Sequence, residues 1–291
     1  MKFSALIAAY RAGHYIRKAL ESVRGQTHAD WEIVVVEDGS HDVTEALVRQ
    51  FAASVSQSVR YENLGENRGV AAARSRLLEL ATGEAAAFID ADDWWTPVHL
   101  TRAQEAFDGG ADLVVARIQE YDLDANKPLG TYTPSHELFG NPVRTLFVAS
   151  PIRTSSCVAL RLSVTRRVGG FDAALRIGED RDYWLRCALA AARFADNGEI
   201  TCFYAKHAAS TMARTLNWAQ QEVAFDEKYQ TLAELPLSLR RHTLAHHLTN
   251  YGRMVRATDP RASREALARA FRLAPSVKTL AQWLRSLTTL H

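Results

Sequence analysis

Two short apolar runs that end abruptly in acid constrain this chain more than any other feature. Glu32 to Val36 (EIVVV) runs into Glu37, Asp38, Gly39 and Ser40, and Ala85 to Ile89 (AAAFI) runs into Asp90, Ala91, Asp92 and Asp93. A continuous apolar run of this length reads as a strand buried on both faces, and such strands belong to parallel sheets covered by helices. The neighbouring segments fit. Phe3 to Ala9 reads as a first strand, Tyr15, Ile16, Ala19, Leu20 and Val23 recur at helical spacing, and Asp42 begins a second helix. Tyr61 lies in a short third strand, and Val70, Ala73, Leu77 and Leu80 mark another helix. The alternation predicts βα units and a mostly parallel sheet. Both acidic clusters then fall at the carboxyl ends of strands, where open α/β sheets place their ligands.

From about Leu123 to Ser156 the alternation breaks down, with Pro128, Gly130, Pro134, Gly140, Pro142 and Pro151 scattered through it. A long irregular stretch inside a domain points to function or mobility. Helical spacing returns after Gly178, with Glu179 and Asp180 at its start and Trp184, Leu185, Ala188 and Leu189 on one face. Thr201 to Ala205 reads as a last strand leading into His207, and further helical periods follow.

The 291 residues, 47% of them hydrophobic, suffice for a sizeable core and exclude a disordered chain or a mini-protein. Cys157, Cys187 and Cys202 form no CxxC pair, so they are expected to be buried thiols rather than zinc ligands or disulfides. No apolar run approaches the roughly 20 residues of a spanning helix. Met1 to Tyr10 lacks the features of a signal peptide, and the expectation is a soluble cytoplasmic chain. Charge is uneven. Residues 1–237 carry 25 Lys and Arg against 31 Asp and Glu, and residues 238–291 carry 10 against 2, so −6 and +8 make up the net +2. A basic tail fits a solvated face, an anionic membrane surface, an acidic partner or nucleic acid, and charge alone does not choose.

Asp90, Asp92 and Asp93 place three carboxylates within four residues. Their repulsion is relieved if a divalent cation takes hard oxygen ligands there and binds diphosphate oxygens at its other positions. The plainer reading is a turn and helix cap before Pro97. A dehalogenase-like phosphatase also uses Asp-x-Asp after a strand, but wants Thr or Ser where this chain has Trp94. Glu179 and Asp180 suit acid–base work, or merely negative charge at a helix N-terminus.

The segments ALIAAYRAGHYIRKALESVRGQT, VVVEDGSHD, ENRGVAAARSRLLELATGE, FIDADDWWTP and GGFDAALRIGEDRDYWLR occur in this order over about residues 3 to 210. Together they resemble the family 2 glycosyltransferases, inverting enzymes of the GT-A fold. The resemblance implies a Rossmann-like three-layer α/β/α sandwich over residues 1–215, with a nucleotide-binding half at 1–93 and an acceptor-binding half at 94–215. Residues 216–291 would form a basic helical extension.

For the site, the resemblance implies that Ala8, Ala9, Tyr10 and Asp38 surround the nucleotide base, with Asp38 accepting the imide N–H of uracil. Asn67, Gly69 and Arg74 would run beneath the nucleotide, and Asp90 and Ala91 beside it. Asp92 and His207, with Ser210 in the same loop, would hold Mn2+ or Mg2+. Asp180 would be the catalytic base, with Glu179 and Trp184 on the acceptor side, although Trp184 fits the core equally. The chain departs from the family in Ala8, Ala9 and Arg11, where Pro-Thr-Tyr-Asn is usual, and in Ser75, where Asn is common.

The implied activity is metal-dependent transfer of a sugar from a nucleotide diphosphate sugar, a UDP-sugar by Asp38, to a glycan or lipid-linked hydroxyl. The basic tail would meet an anionic membrane surface from the cytoplasmic side, and no nucleic acid partner is expected. Two other readings stay open: a catalytically silent nucleotide-sugar binder, and a metal-dependent nucleotidyl or phosphoryl transferase. The chain lacks the Walker A pattern of the commonest form of the latter.

Overall fold

A computed structural model describes residues 1–207 and 216–287. The N-terminal alternation folds as β1 (Phe3–Ala9), α1 (Ile16–Arg24), β2 (Trp31–Glu37), α2 (Thr44–Ala52), β3 (Val59–Asn63), α3 (Val70–Leu80) and β4 (Ala85–Asp90). There follow β5 (Trp94–Trp95), α4 (His99–Asp108), β6 (Leu113–Asp122), β7 (Lys127–Tyr132), α5 (His136–Gly140), α6 (Pro142–Val148), β8 (Val158–Arg161), α7 (Leu162–Val168), α8 (Glu179–Leu189) and β9 (Phe194–Lys206). The strands form one sheet in the order β3-β2-β1-β4-β8-β6-β9-β5, with β7 paired to β6.

Every residue of β2 is buried between its parallel neighbours β1 and β3, as a continuous apolar run requires. The predicted stripe of α1 is buried at Ile16, Ala19, Leu20 and Val23. Burying each of its larger side chains contributes about 1.5–3 kcal/mol, so Leu20→Asp would dislodge the helix. Cys157, Cys187 and Cys202 are buried free thiols, as expected.

The sheet joins antiparallel strands to the expected parallel ones. Parallel pairing runs from β3 to β4, whereas β8 is antiparallel to both β4 and β6, β5 to β9, and β7 to β6; β6 and β9 are parallel. The cause is local. After β5 the strand–helix–strand crossovers give way to a hairpin, β6–β7, and to a reversed strand, β8. Pro128 and Gly130 lie within β7, which among the described residues pairs only with β6 and so tolerates both. Pro142 opens α6, and Asn141 caps that helix by accepting from the Arg144 N–H. The irregular stretch is thus built of elements too short to show a period.

The chain divides into two compact units, Met1–Ser210 and Thr211–His291. The second contains α9 (Leu216–Lys228), α10 (Leu237–Met254), α11 (Pro260–Leu273) and α12 (Val277–Leu287). Its core gathers Leu244, Ala245 and Leu248 of α10 with Ala266 and Ala270 of α11. Among the described residues no helix is long and apolar enough to cross a membrane.

Candidate active site

Strand register brings the predicted segments level at one end of the sheet. Ala8 pairs with Asp90 across β1–β4, Ala9 pairs with Glu37 across β1–β2, and the Asp38 N–H donates to the Ala9 carbonyl at 2.8 Å. The Asp38 carboxylate accepts the Arg68 N–H at 2.7 Å and the Gly69 N–H at 2.9 Å, which pulls the loop carrying Asn67 across the strand end. Gly39 makes this closure possible. Its φ is +71°, and a Cβ there would lie 2.2 Å from the Glu66 carbonyl carbon. Tyr10 stands out from the strand end, 47% exposed, with the Arg11 guanidinium 5.2 Å from its ring centre.

The acids after β4 take three different roles. Asp90 accepts from Arg74 at 2.8 Å, and its own N–H donates to the Ser156 hydroxyl at 2.8 Å. Asp93 is fully buried, accepting from Thr154 at 3.0 Å and from the Ala205 N–H at 2.7 Å. Burial, reinforced by the charges of Asp92 and Asp90, pushes the Asp93 carboxyl well above the usual carboxylate range. Asp93 is therefore a brace. Asp92, like Asp90, keeps an open side, and its Oδ2 lies 3.0 Å from His207 Nε2. Burial and then Asp90 push the Asp92 carboxyl up, against the bond from His207. Tyr15 stacks on the His207 ring at 4.6 Å and fixes its plane.

Among the described residues no group of three His, Cys, Asp or Glu side chains is arranged to hold a cation. Asp92 and His207 nonetheless form a one-oxygen, one-nitrogen pair that suits Mg2+ or Mn2+ when diphosphate oxygens and water complete the shell. Ser210 lies outside the described residues.

Arg74 joins this strand end to α8. Only 6% exposed, it donates through one terminal nitrogen to Asp90 and through the other to Glu179 at 2.7 Å. It therefore clasps two carboxylates instead of presenting an open fork to a ligand. Burial disfavours its charge, and Asp90, Glu179 and Asp180 overcome that and push its pKa upward. Gly178, at φ +78°, precedes α8, whose first turn holds Glu179, Asp180 and Asp182. Negative charge is favoured there by the helix dipole. Asp180 accepts the Arg181 N–H at 2.6 Å, and burial raises its pKa even though Arg74 pulls the other way. Glu179, 6% exposed, is pushed up to about 7 by burial and the Asp180 charge, against Arg74.

Trp184 takes the other place open to it. It is fully buried in the core, edge-on to Phe88 at 5.6 Å and Phe171 at 6.1 Å, with no face left for an acceptor. Helical spacing marks Tyr15 only as part of an apolar stripe, and no periodic pattern marks Thr154 or Ser156 as site residues. The hydroxyl run Thr154-Ser155-Ser156 in the irregular stretch was the available signal.

A sheet whose parallel strand ends gather an acid-and-histidine pair, a loop held across a strand end and a helix-borne carboxylate defines an α/β protein of the GT-A fold. The sequence pattern of glycosyl transferase family 2 matches residues 4–169, and the chain belongs to that family. It is 37% identical over 92 residues to the UDP-Glc:alpha-D-GlcNAc-diphosphoundecaprenol beta-1,3-glucosyltransferase WfgD of Escherichia coli, covering 32% of this chain and 35% of that one. The fold matches S. aureus TarS 1–349 in complex with UDP-GlcNAc, with a TM-score of 0.64, 20% identity, and coverage of 99% of this chain and 80% of that one. It also matches the mannosyltransferase PcManGT from Pyrobaculum calidifontis in complex with GDP-Man and Mn2+, with a TM-score of 0.62, 21% identity, and coverage of 98% and 79%. The matches to curated glycosyltransferases of Nostoc and Bacillus subtilis span 33%, 36% and 40% of those proteins' lengths.

Proposed function

We propose that this chain is a metal-dependent, inverting glycosyltransferase that moves a sugar from a UDP-sugar to a hydroxyl of a glycan or lipid-linked acceptor. One observation carries the reading: the Arg74 clasp ties the strand end that bears Asp92 to the helix start that bears Asp180. Donor-side and acceptor-side carboxylates are thereby held in one site.

In this reading the Tyr10 ring packs on the base, and Asp38, with lone pairs left after binding the Arg68 and Gly69 amides, accepts the uracil imide N–H. Asp92 and His207 hold the divalent cation, which would offset the charge gathering on the departing diphosphate. Asp180 takes the proton of the acceptor hydroxyl as that oxygen bonds to the anomeric carbon. The bond from that carbon to the diphosphate breaks, and UDP keeps the electron pair. Attack from the face opposite UDP inverts the anomeric configuration. The raised pKa of Asp180 makes it a stronger base than an exposed carboxylate.

The UDP-GlcNAc and Mn2+ in the two structural relatives, and the diphosphoundecaprenol in the name of WfgD, support this choice of donor, metal and acceptor. The enzyme works at the cytoplasmic face of a membrane, where its basic tail meets anionic lipid, and takes no nucleic acid partner. Calorimetry with UDP and Mn2+ beside a transfer assay tests the assignments. Asp180→Asn should bind UDP as the wild type does and lose transfer, whereas Asp92→Asn should lose metal-dependent binding as well. Full activity in Asp180→Asn would remove the base assignment.

A further inference from the structure

α12 leaves part of its apolar stripe uncovered, although Leu280 and Ala281 are half-buried. α12 packs on α11 and α10. Its inner side holds Ser286, 1% exposed, Gln282, which accepts from Arg256 at 3.2 Å, and Trp283, which lies parallel to the Phe271 ring at 6.2 Å. Val277, Leu284 and Leu287 are instead 86%, 48% and 43% exposed. Spaced by seven and three residues, they share one side of the helix, with Leu280 between them. Amphipathic helices of soluble proteins turn such a stripe inward.

Charge indicates what covers it. Lys278 and Arg285, seven residues apart and both exposed, flank the stripe. No acidic residue follows Glu265, whereas Arg269, Arg272, Lys278 and Arg285 do, within the stretch of net charge +8. A second copy seated on this face would bring like charges together. An anionic surface would not.

We propose that α12 is a membrane-docking helix that lies in the plane of an anionic bilayer. Val277, Leu284 and Leu287 sink to the headgroup–acyl boundary, and Lys278 and Arg285 meet the lipid phosphates. This deepens the glycosyltransferase reading, on which it rests only for its purpose, bringing the active site to an acceptor carried in lipid.

The test is flotation of the full chain with vesicles of phosphatidylcholine alone and of phosphatidylcholine with phosphatidylglycerol. The wild type should float with the second and not the first. Val277→Ser with Leu284→Ser should lower the bound fraction about tenfold, and Lys278→Glu with Arg285→Glu should do the same. All four side chains are exposed, and matching thermal melts would confirm intact folds. Wild-type levels of flotation in the serine variant would overturn the proposal, as would absence of flotation in the wild type. A wild-type dimer that the serine variant dissociates, with no flotation, would overturn it in favour of a second copy. UDP-sugar hydrolysis on the same preparations separates the two ideas: hydrolysis without flotation removes the docking helix and the membrane contact and leaves the transferase, and flotation without hydrolysis removes the transferase reading and leaves α12 as a docking element.

Discussion

The Arg74 guanidinium and the Glu179 carboxylate, 105 residues apart in the chain, meet at 2.7 Å inside the molecule, while the other arm of Arg74 holds Asp90 at 2.8 Å. Removing the guanidinium would take the shared partner from the buried Glu179 carboxyl and the half-buried Asp90 carboxylate. Arg74→Ala should therefore cost about 3–5 kcal/mol of stability, measured by urea unfolding. Arg74→Lys keeps the charge but has no fork to span both partners, so it should fold and transfer sugar more slowly. A fully active Arg74→Ala would show that the clasp is dispensable.

Glu179→Gln should be milder than Arg74→Ala, because burial already favours the neutral form of Glu179. Its carboxyl is pushed up to about 7 from an ordinary 4.5. The stability this contributes is complete below pH 4.5 and is lost as pH rises through 7. Wild-type stability should show that decline, and Glu179→Gln should not, in unfolding series across this range.

Acid should unfold the first unit through two groups outside the clasp, Glu32 and His99. Burial pushes the Glu32 carboxyl up, but bonds from Ser4, Thr82 and Lys2 outweigh it and hold it at about 2. Its contribution is complete above 4.5 and lost as pH falls to 2, about 3 kcal/mol in all. Burial lowers His99 from 6.5 to about 3, so its neutral ring, bonded to Thr201 and stacked on Trp95, begins to cost stability below pH 6.5. Glu32→Gln should remove most of the loss between pH 4.5 and 2, and His99→Phe most of the loss that begins at pH 6.5.

Gly39→Ala should damage nucleotide binding and stability together. The positive φ alone costs roughly 1–3 kcal/mol, and the new methyl would press on the Glu66 backbone and push the Asn67 loop off Asp38. Calorimetry with UDP and a thermal melt of the variant check both effects.

Much of this fold is written in local pattern. β1, β2, β4 and α1 follow from apolar runs and helical stripes because each has a regular period over seven or more residues, or a run bounded by acid. β7, α5 and α6 are too short for a period and owe their form to tertiary pairing and to Pro142 and Asn141 at a helix start. The candidate site divides in the same way. Asp90, Asp92, Glu179 and Asp180 stand out as neighbours in sequence, but their roles come from partners far along the chain: Arg74 for Asp90 and Glu179, His207 for Asp92, and Thr154 and Ala205 for Asp93. A helical stripe shows that Trp184 faces something apolar and cannot say whether that is core or ligand.

The acid limb of the transfer rate offers a further check on Asp180. A base must be ionised to act, and burial raises the pKa of Asp180, so if Asp180 is the base as proposed the rate should fall off at a pH above the usual carboxylate range. A pH profile of kcat/KM that stays flat down to ordinary carboxylate pKa values would point to a different base.

In the proposed function, Asp92 and His207 bind a cation that carries a nucleotide diphosphate sugar. The direct measurement is release of free nucleotide from a panel of UDP-, GDP- and dTDP-sugars, with Mn2+ and with chelator, for the wild type and for His207→Ala. The expected result is metal-dependent release of UDP from one donor, abolished by chelator and strongly reduced in His207→Ala. Release that persists unchanged in chelator, or of a nucleotide other than UDP, would contradict it.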